Sequence, residues 1–137
     1  MTPLAQLIAK VDSLQRRVIY LENRLRTERV NYSDLVVGHL RAIDLADVNI
    51  RDVAHALNTS GTTLRRRLLD EGVKFKDLLQ CERRRRVEAE LARDPDATSH
   101  TLAVIAGYSD TQNLTRAFAK WFGLSLRKFK STHGATP

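Results

Sequence analysis

The chain has 137 residues, enough for one ordinary domain and a short appendage. Its 23 Lys and Arg residues outnumber 16 Asp and Glu residues, giving a formal net charge of +7. This balance favours a polyanionic partner, either nucleic acid or an anionic membrane surface. The single cysteine, Cys81, excludes an internal disulfide, and no Cys or His cluster has the spacing of metal ligands.

Several classes of function are disfavoured by the same inspection. The sequence has no nucleophile–base pair, no phosphate-binding glycine loop and no recognisable carboxylate pair, so we expect neither enzyme activity nor a cofactor. It has no apolar run long enough to span a membrane, and its charged N-terminal helix does not have the pattern of a secretory signal. We therefore expect a cytoplasmic protein without a membrane partner.

An apolar heptad repeat occupies the N-terminal segment, residues 1–30. Position a is taken by Leu4, Val11, Val18 and Leu25, and position d by Leu7, Leu14 and Leu21. A strict seven-residue period predicts a coiled coil, and Val at a with Leu at d favours a parallel dimer. The repeat covers only three to four heptads, so the coiled coil should be marginal. An amphipathic helix packed against its own domain is the alternative.

The rest of the chain predicts helices and no strand, so the expected fold class is all-α. The expected helices cover 34–45 with Ser33 as N-cap, 50–57, a segment from Ser60 to Gly72, 75–93, a segment starting at Thr98 or Ser99, and one ending near 122. A flexible tail is expected at 132–137.

Two pairs of these helices are each joined by a short turn, a pattern typical of helix-turn-helix motifs. The first motif covers about 50–69 and the second about 99–122, with the long helix 75–93 between them. Ala54 and Ala103 occupy equivalent positions, where a small side chain lets two helices cross closely. Two such motifs in a small basic chain favour DNA binding, within a DNA-binding region of residues 31–131.

The second helix of each motif presents polar side chains suited to the major groove. Arginine bonds bidentately to guanine, amides suit adenine, and threonine can meet thymine or phosphate. The candidate DNA-binding residues are Thr62, Arg65 and Arg66 in the first motif and Thr111, Gln112, Asn113, Thr115 and Arg116 in the second.

The run Arg83–Arg86 lies inside the long helix, so its side chains point around most of the cylinder. One or two of them are expected to contact phosphate or to pair with Glu82, Glu88 or Glu90. Phe118, Trp121 and Phe122 continue an apolar stripe and are expected in the core rather than stacked on bases.

Longer stretches resemble the AraC/XylS family of bacterial transcription regulators. The resemblance is carried by Ala103-Val-Ile-Ala-Gly-Tyr-Ser-Asp, Asn113-Leu-Thr-Arg-Ala-Phe and Trp121-Phe-Gly-Leu-Ser, and upstream by Thr63-Leu-Arg-Arg-Arg-Leu and Asp70-Glu-Gly. It covers roughly residues 34–130. It implies two helix-turn-helix subdomains joined by a linker helix, which insert recognition helices into consecutive major-groove segments about 34 Å apart.

Some positions depart from the family pattern. Ser99 stands where an aliphatic residue is usual, and Leu126 where proline is frequent. Glu82 and Arg83 interrupt the apolar stripe of the linker helix. Together these departures are expected to loosen the second motif or its hinge, but not to remove its recognition surface. The coiled-coil segment of about thirty residues leaves no room for the effector-binding β-domain of many family members, so no small-molecule effector is expected.

The sequence thus predicts a DNA-binding transcription regulator that acts as a homodimer on double-stranded DNA. RNA polymerase or a second regulator is a possible further partner. Two alternatives remain: an interaction protein that uses its coiled coil to titrate another regulator, and a nucleoid protein indifferent to sequence.

Overall fold

The computed structural model describes residues 3–28 and 31–133, and this part of the chain contains eight α-helices and no strand. The expectation of an all-α fold is confirmed. The helices are α1 (Pro3–Glu28), α2 (Tyr32–Arg41), α3 (Ile50–Ala56), α4 (Gly61–Asp70), α5 (Phe75–Arg93), α6 (Ser99–Ala106), α7 (Thr111–Phe122) and α8 (Leu126–His133).

Helix α1 belongs to a compact unit of its own, separate from the unit that begins at Tyr32. It is one continuous helix, with an ion pair between Asp12 and Arg16 at 2.9 Å one turn apart. The described a and d side chains, from Leu4 to Leu21, are 45–67% exposed. The side chain of Leu25 lies outside the described residues. The coiled coil therefore stays a prediction.

The first subdomain consists of α2, α3 and α4 around a core that includes Val36, Leu40, Val53 and Leu64. The Ser60 hydroxyl accepts a hydrogen bond from the Thr63 amide, which confirms Ser60 as an N-cap. Cap hydrogen bonds of this kind fix where α4 starts and so fix which of its side chains face outward.

The predicted bounds of α2 are wrong at both ends. The helix begins at Tyr32, so Ser33 lies inside its first turn, and it ends at Arg41 rather than Leu45. The Glu71 carboxylate accepts hydrogen bonds from the Tyr32 amide at 2.9 Å and from the Ser33 amide at 3.2 Å. A distant side chain thus satisfies two free amides at the start of α2, and the Ser33 hydroxyl donates to the same carboxylate at 3.0 Å.

The second subdomain consists of α6, α7 and α8 around a core with Leu102, Leu114 and Phe118 at its centre. Trp121 and Phe122 are partly buried against this core, as predicted. Leu126 is buried in it, which accounts for an aliphatic residue at that position.

The ends of the helices in this subdomain follow local capping chemistry. The Thr98 hydroxyl caps α6, and Gly107 (φ 82°) and Gly123 (φ 74°) end α6 and α7 in the left-handed region, where a side chain is unfavourable. The flexible tail predicted from residue 132 is wrong at its start, because α8 continues to His133. Residues 134–137 lie outside the described part of the chain.

Helix α5 joins the two subdomains. Its side chain Leu79 lies in the first core, whereas Val87 and Leu91 lie in the second. Between them, Glu82 is almost fully buried and accepts hydrogen bonds from Arg85 and Arg86. The hydrogen bond from Arg85 is the main cause that lowers the pKa of the Glu82 carboxyl.

Glu82 and Arg83 both make contacts in the folded chain, and the loosening expected from the departures stays a prediction. Glu82 is satisfied by two guanidinium groups, and the Arg83 guanidinium carbon lies 4.6 Å from the ring centre of Tyr108 in the second subdomain. The run Arg83–Arg86 is also more fully paired than expected, since Arg84, Arg85 and Arg86 all form ion pairs with Glu82 or Glu88.

Candidate nucleic-acid interface

Helix α4 presents one exposed polar face. Thr62, Arg65 and Arg66 lie on it at spacing i, i+3, i+4 and are all exposed. Leu64 and Leu68 are buried on the opposite side and fix the helix against the first core. No ion pair or side-chain hydrogen bond ties Arg65 or Arg66 to a described residue, so both guanidinium groups are available to a ligand.

Helix α7 presents a similar face. Gln112, Thr115 and Arg116 are exposed, whereas Thr111 and Asn113 are half-buried. The five residues predicted as one set therefore divide into three outward-facing side chains and two at the edge of the core.

Local hydrogen bonds orient the side chains of α7. The Thr115 hydroxyl donates to the Thr111 carbonyl oxygen at 2.8 Å, which fixes its side chain against the preceding turn. A terminal nitrogen of Arg116 donates to Oδ1 of Asn113 at 2.6 Å. The backbone N–H of Asn113 donates to Oδ1 of Asp110, the N-cap of α7, at 2.7 Å. Arg116 is thus held by a residue that is itself part of the helix start.

The two faces are equivalent by position. Adding fifty to a residue number in α4 gives the matching position in α7, from the N-caps Ser60 and Asp110 to the buried Leu64 and Leu114. The exposed pairs under the same rule are Thr62 with Gln112, Arg65 with Thr115, and Arg66 with Arg116. One scaffold therefore carries two sets of three side chains, and only the last pair is chemically identical.

A basic cleft of about 1250 Å³ lies between the two subdomains beside α7. We call it the cleft, and its charged lining consists of Lys74, Lys76, Arg83, Arg84, Arg116 and Lys120 with Asp47 and Asp77. Its excess of cations continues the positive surface from the α7 face towards the start of α5. An open, positively charged cleft next to a recognition helix suits phosphate groups.

Three cations of the cleft are not among the site residues predicted from the sequence: Lys74, Lys76 and Lys120. Lys120 had a local signal, because it lies one helical turn after Arg116 on α7. Lys74 and Lys76 had none, since they flank the start of α5 and are brought to the cleft only by the packing of the two subdomains.

Among residues 3–28 and 31–133, no helix combines the length and the apolarity that crossing a membrane requires.

A model of the helix-turn-helix domain family matches residues 53–132, more than half of the chain and both helix-turn-helix motifs. The chain belongs to the AraC-type helix-turn-helix family. The resemblance stated from the sequence motifs is thereby confirmed. This membership concerns the part of the chain that carries the two polar faces.

Relatives of this AraC-type chain are transcription regulators. It is 31% identical over 118 residues to the HTH-type transcriptional regulator VirS of Mycobacterium tuberculosis, covering 85% of this chain and 34% of VirS. Among solved structures it resembles the transcriptional regulator CdpR of Pseudomonas aeruginosa (TM-score 0.67, 30% identity), covering 80% of this chain and 34% of CdpR. It also resembles the C-terminal domain of AraT, a response regulator of Geobacillus stearothermophilus (TM-score 0.67, 25% identity, 78% and 89% covered). The chain spans about a third of the length of VirS and CdpR.

Proposed function

We propose that this AraC-type chain is a sequence-specific DNA-binding transcription regulator. The observation that carries the proposal is the pair of equivalent exposed faces on α4 and α7, each fixed by an N-cap and by buried residues behind it. Each face is the exposed side of the second helix of a helix-turn-helix motif, the element that enters the major groove in such motifs.

The chemistry of the faces supports base recognition. Arg65, Arg66 and Arg116 can each donate two hydrogen bonds to guanine, and Gln112 can bond bidentately to adenine. One good bidentate pair discriminates between bases by about 1–3 kcal/mol. Three or four such contacts on two helices favour particular base sequences, whereas charge attraction to phosphates is the same for every sequence.

The cleft supports a second type of contact. Lysine and arginine side chains that neutralise phosphates add affinity without sequence preference and make it dependent on salt. Lys74, Lys76 and Lys120 have this role in our proposal, and Thr62, Thr115 and the base-directed arginines supply the selectivity. Recognition then combines positioning on the backbone with reading of base edges.

We also propose that α1 dimerises the chain with a second copy of itself. Its support is the exposed apolar seam of Leu4, Leu7, Val11, Leu14, Val18 and Leu21 on one continuous helix. Burying a side chain such as leucine contributes about 1.5–3 kcal/mol, so two facing seams of this length can hold a dimer. Two chains then carry four recognition helices and engage two half-sites.

Selection of genomic DNA fragments on the purified full-length chain, at near-physiological salt, tests the proposal. Sequencing of the retained fragments should give a motif with two paired half-sites. Retention of fragments without a shared motif, with a steep loss of affinity as salt rises, would favour a sequence-indifferent nucleoid protein. Failure to retain DNA would favour a protein that titrates another regulator through α1.

A further inference from the structure

The two subdomains are not held together by a shared apolar core. From α5, the first core takes Leu79, with Phe75 and Leu78 packed against it, and the second takes Val87 and Leu91. The seven residues between Leu79 and Val87 are Gln80, Cys81, Glu82 and the four arginines. The relative position of the two recognition helices therefore depends on polar contacts of α5 and on direct contact between the subdomains.

The polar contacts of α5 run crosswise. Gln80 and Arg83 lie in the half of α5 nearer the first core, but both contact Tyr108 of the second subdomain. The Tyr108 hydroxyl donates to the Gln80 side-chain oxygen at 3.1 Å, and the Arg83 guanidinium group lies over the Tyr108 ring. Arg86 lies nearer the second core, but donates to the carbonyl oxygens of Leu40 and Ile43 in the first subdomain at 2.6 and 2.7 Å. Each subdomain is thus bound to the half of α5 that its own core does not use.

A direct contact between the subdomains occurs at Gly107, in the turn between α6 and α7. A Cβ atom at Gly107 would lie 2.5 Å from the carbonyl carbon of Leu45 and 2.6 Å from its oxygen. Leu45 is fully buried in the first core, so this backbone has little room to move. The second subdomain approaches the first as closely as it does because residue 107 has no side chain.

We propose that Gly107, Arg83 and Tyr108 are positioning residues that set the separation and angle of the two recognition helices. They thereby determine which spacing between two DNA segments the chain accepts. This inference rests on the proposed function. A rigid connection makes spacing a part of specificity, because each face can meet its bases only when the DNA segments lie at the matching distance and rotation.

The test uses the full-length chain and duplexes that carry one half-site from the genomic selection. A second duplex has one base pair inserted between the segments contacted by α4 and α7, which rotates them by about 35° and separates them by about 3.4 Å. The dissociation constant for the duplex with the insertion, divided by that for the original duplex, measures spacing preference. We call this quotient the spacing ratio. For the wild-type chain we expect the insertion to weaken binding about tenfold or more, since one face then misses its bases.

Gly107→Ala should place a methyl group against Leu45 and move the subdomains apart. We expect weaker binding to the original duplex and a ratio near one. Gly123→Ala is the matched control, because it has the same left-handed backbone (φ 74°) but no atom within 4 Å of the added Cβ. Both variants carry the same backbone strain, so only the contact between subdomains differs.

Arg83→Gln provides an independent test that does not strain the backbone. It removes the stack on Tyr108 and should lower the spacing ratio. Arg85→Gln, two residues away, removes two hydrogen bonds to Glu82 within α5 but no contact with Tyr108, and should leave the ratio unchanged. Thermal unfolding of each variant separates loss of fold from loss of positioning. If Gly107→Ala does not fold, this pair of variants decides the question.

The inference is overturned if Gly107→Ala and Arg83→Gln both retain the wild-type ratio, or if the wild-type chain selects a sequence but tolerates the insertion. Failure of the proposed function has a different signature, because a chain that binds all duplexes equally shows no sequence preference in the first place. Lowered ratios in Gly107→Ala and Arg83→Gln, with unchanged ratios in the two controls, support the inference.

Discussion

A terminal guanidinium nitrogen of Arg86 donates to the carbonyl oxygen of Leu40 at 2.6 Å, joining the linker helix to the end of α2 across 46 residues of sequence. The same nitrogen also reaches the Ile43 carbonyl oxygen, and Nε of Arg86 bonds to the buried Glu82. One side chain therefore helps to neutralise a buried carboxylate and donates to carbonyl groups at the end of α2 and just after it.

Arg86→Met should lower the free energy of unfolding by about 3 kcal/mol. The substitution keeps most of the apolar stem but leaves a buried carboxylate short of a partner, and breaking a buried pair is costly. Urea unfolding followed by circular dichroism measures the change. Arg93→Met is the control and should change stability much less, because Arg93 is 72% exposed where it pairs with Glu90. Equal effects of the two substitutions would contradict the role assigned to Arg86.

Glu82 should make stability depend on pH in acid. Its pKa is lowered in the folded state, chiefly by the Arg85 hydrogen bond, so the folded state binds fewer protons than the unfolded state. The stabilisation is present above the ordinary glutamate pKa of about 4.3 and is lost as the pH falls through the folded value. Glu82→Gln should therefore be less stable than wild type at pH 7, with a difference that shrinks towards pH 3. Urea midpoints of both proteins over this range test the expectation, and a difference independent of pH would refute it.

Arg116→Ala should weaken binding to the selected DNA by about 1–3 kcal/mol and bring it closer to binding of unrelated DNA. Its equivalent on α4, Arg66→Ala, should have an effect of similar size. Fluorescence anisotropy with the two kinds of duplex gives both affinities. An unchanged ratio of specific to non-specific affinity would mean that Arg116 does not contact bases.

Lys120→Ala, on the same helix as Arg116, tests a contact to phosphate instead of a contact to a base. A phosphate contact should be lost equally on all duplexes, and the slope of log affinity against log salt should fall by about 0.9. A selective loss on the specific duplex would instead assign Lys120 to base recognition.

Leu14→Lys should give a folded monomer, because it places a charge in the middle of the α1 seam. Ser13→Lys adds the same charge at an exposed position next to it but outside the seam, and should leave the dimer intact. Sedimentation velocity at several protein concentrations distinguishes the two. A dimeric Leu14→Lys protein would show that the α1 seam does not hold the chains together.

Much of the fold could be predicted from the sequence because its signals are local. Ser60, Thr98, Gly107 and Gly123 act on their own helix ends, so turn chemistry alone locates α4, α6 and α7. The exposed faces of α4 and α7 follow from helical periodicity once the buried positions are known. These interactions join residues within one or two helical turns, so they can be recognised directly in the sequence.

Contacts between segments that are distant in sequence could not be recognised in this way. The Glu71 side chain accepts hydrogen bonds from the start of α2, 38 and 39 residues away in sequence. With these bonds the helix begins at Tyr32, two residues before the predicted start at Asp34. Glu82 and Arg83 interrupt an apolar stripe, which suggested a weak hinge, whereas folding brings them partners from α5 itself and from Tyr108. Polar residues at core positions can be assigned a role only when their partners are known.

The absence of a side chain at Gly107 has a consequence for recombining this chain with its relatives. A recognition face is carried by a few exposed positions on α4 or α7, and these can be transplanted without disturbing the core behind them. A whole subdomain cannot be exchanged so freely, because the turn at Gly107 fits the backbone shape around Leu45 and the two surfaces form one matched pair. Functional chimaeras should therefore take both sides of that junction from a single parent, and altered sequence preference should be easier to engineer than altered architecture.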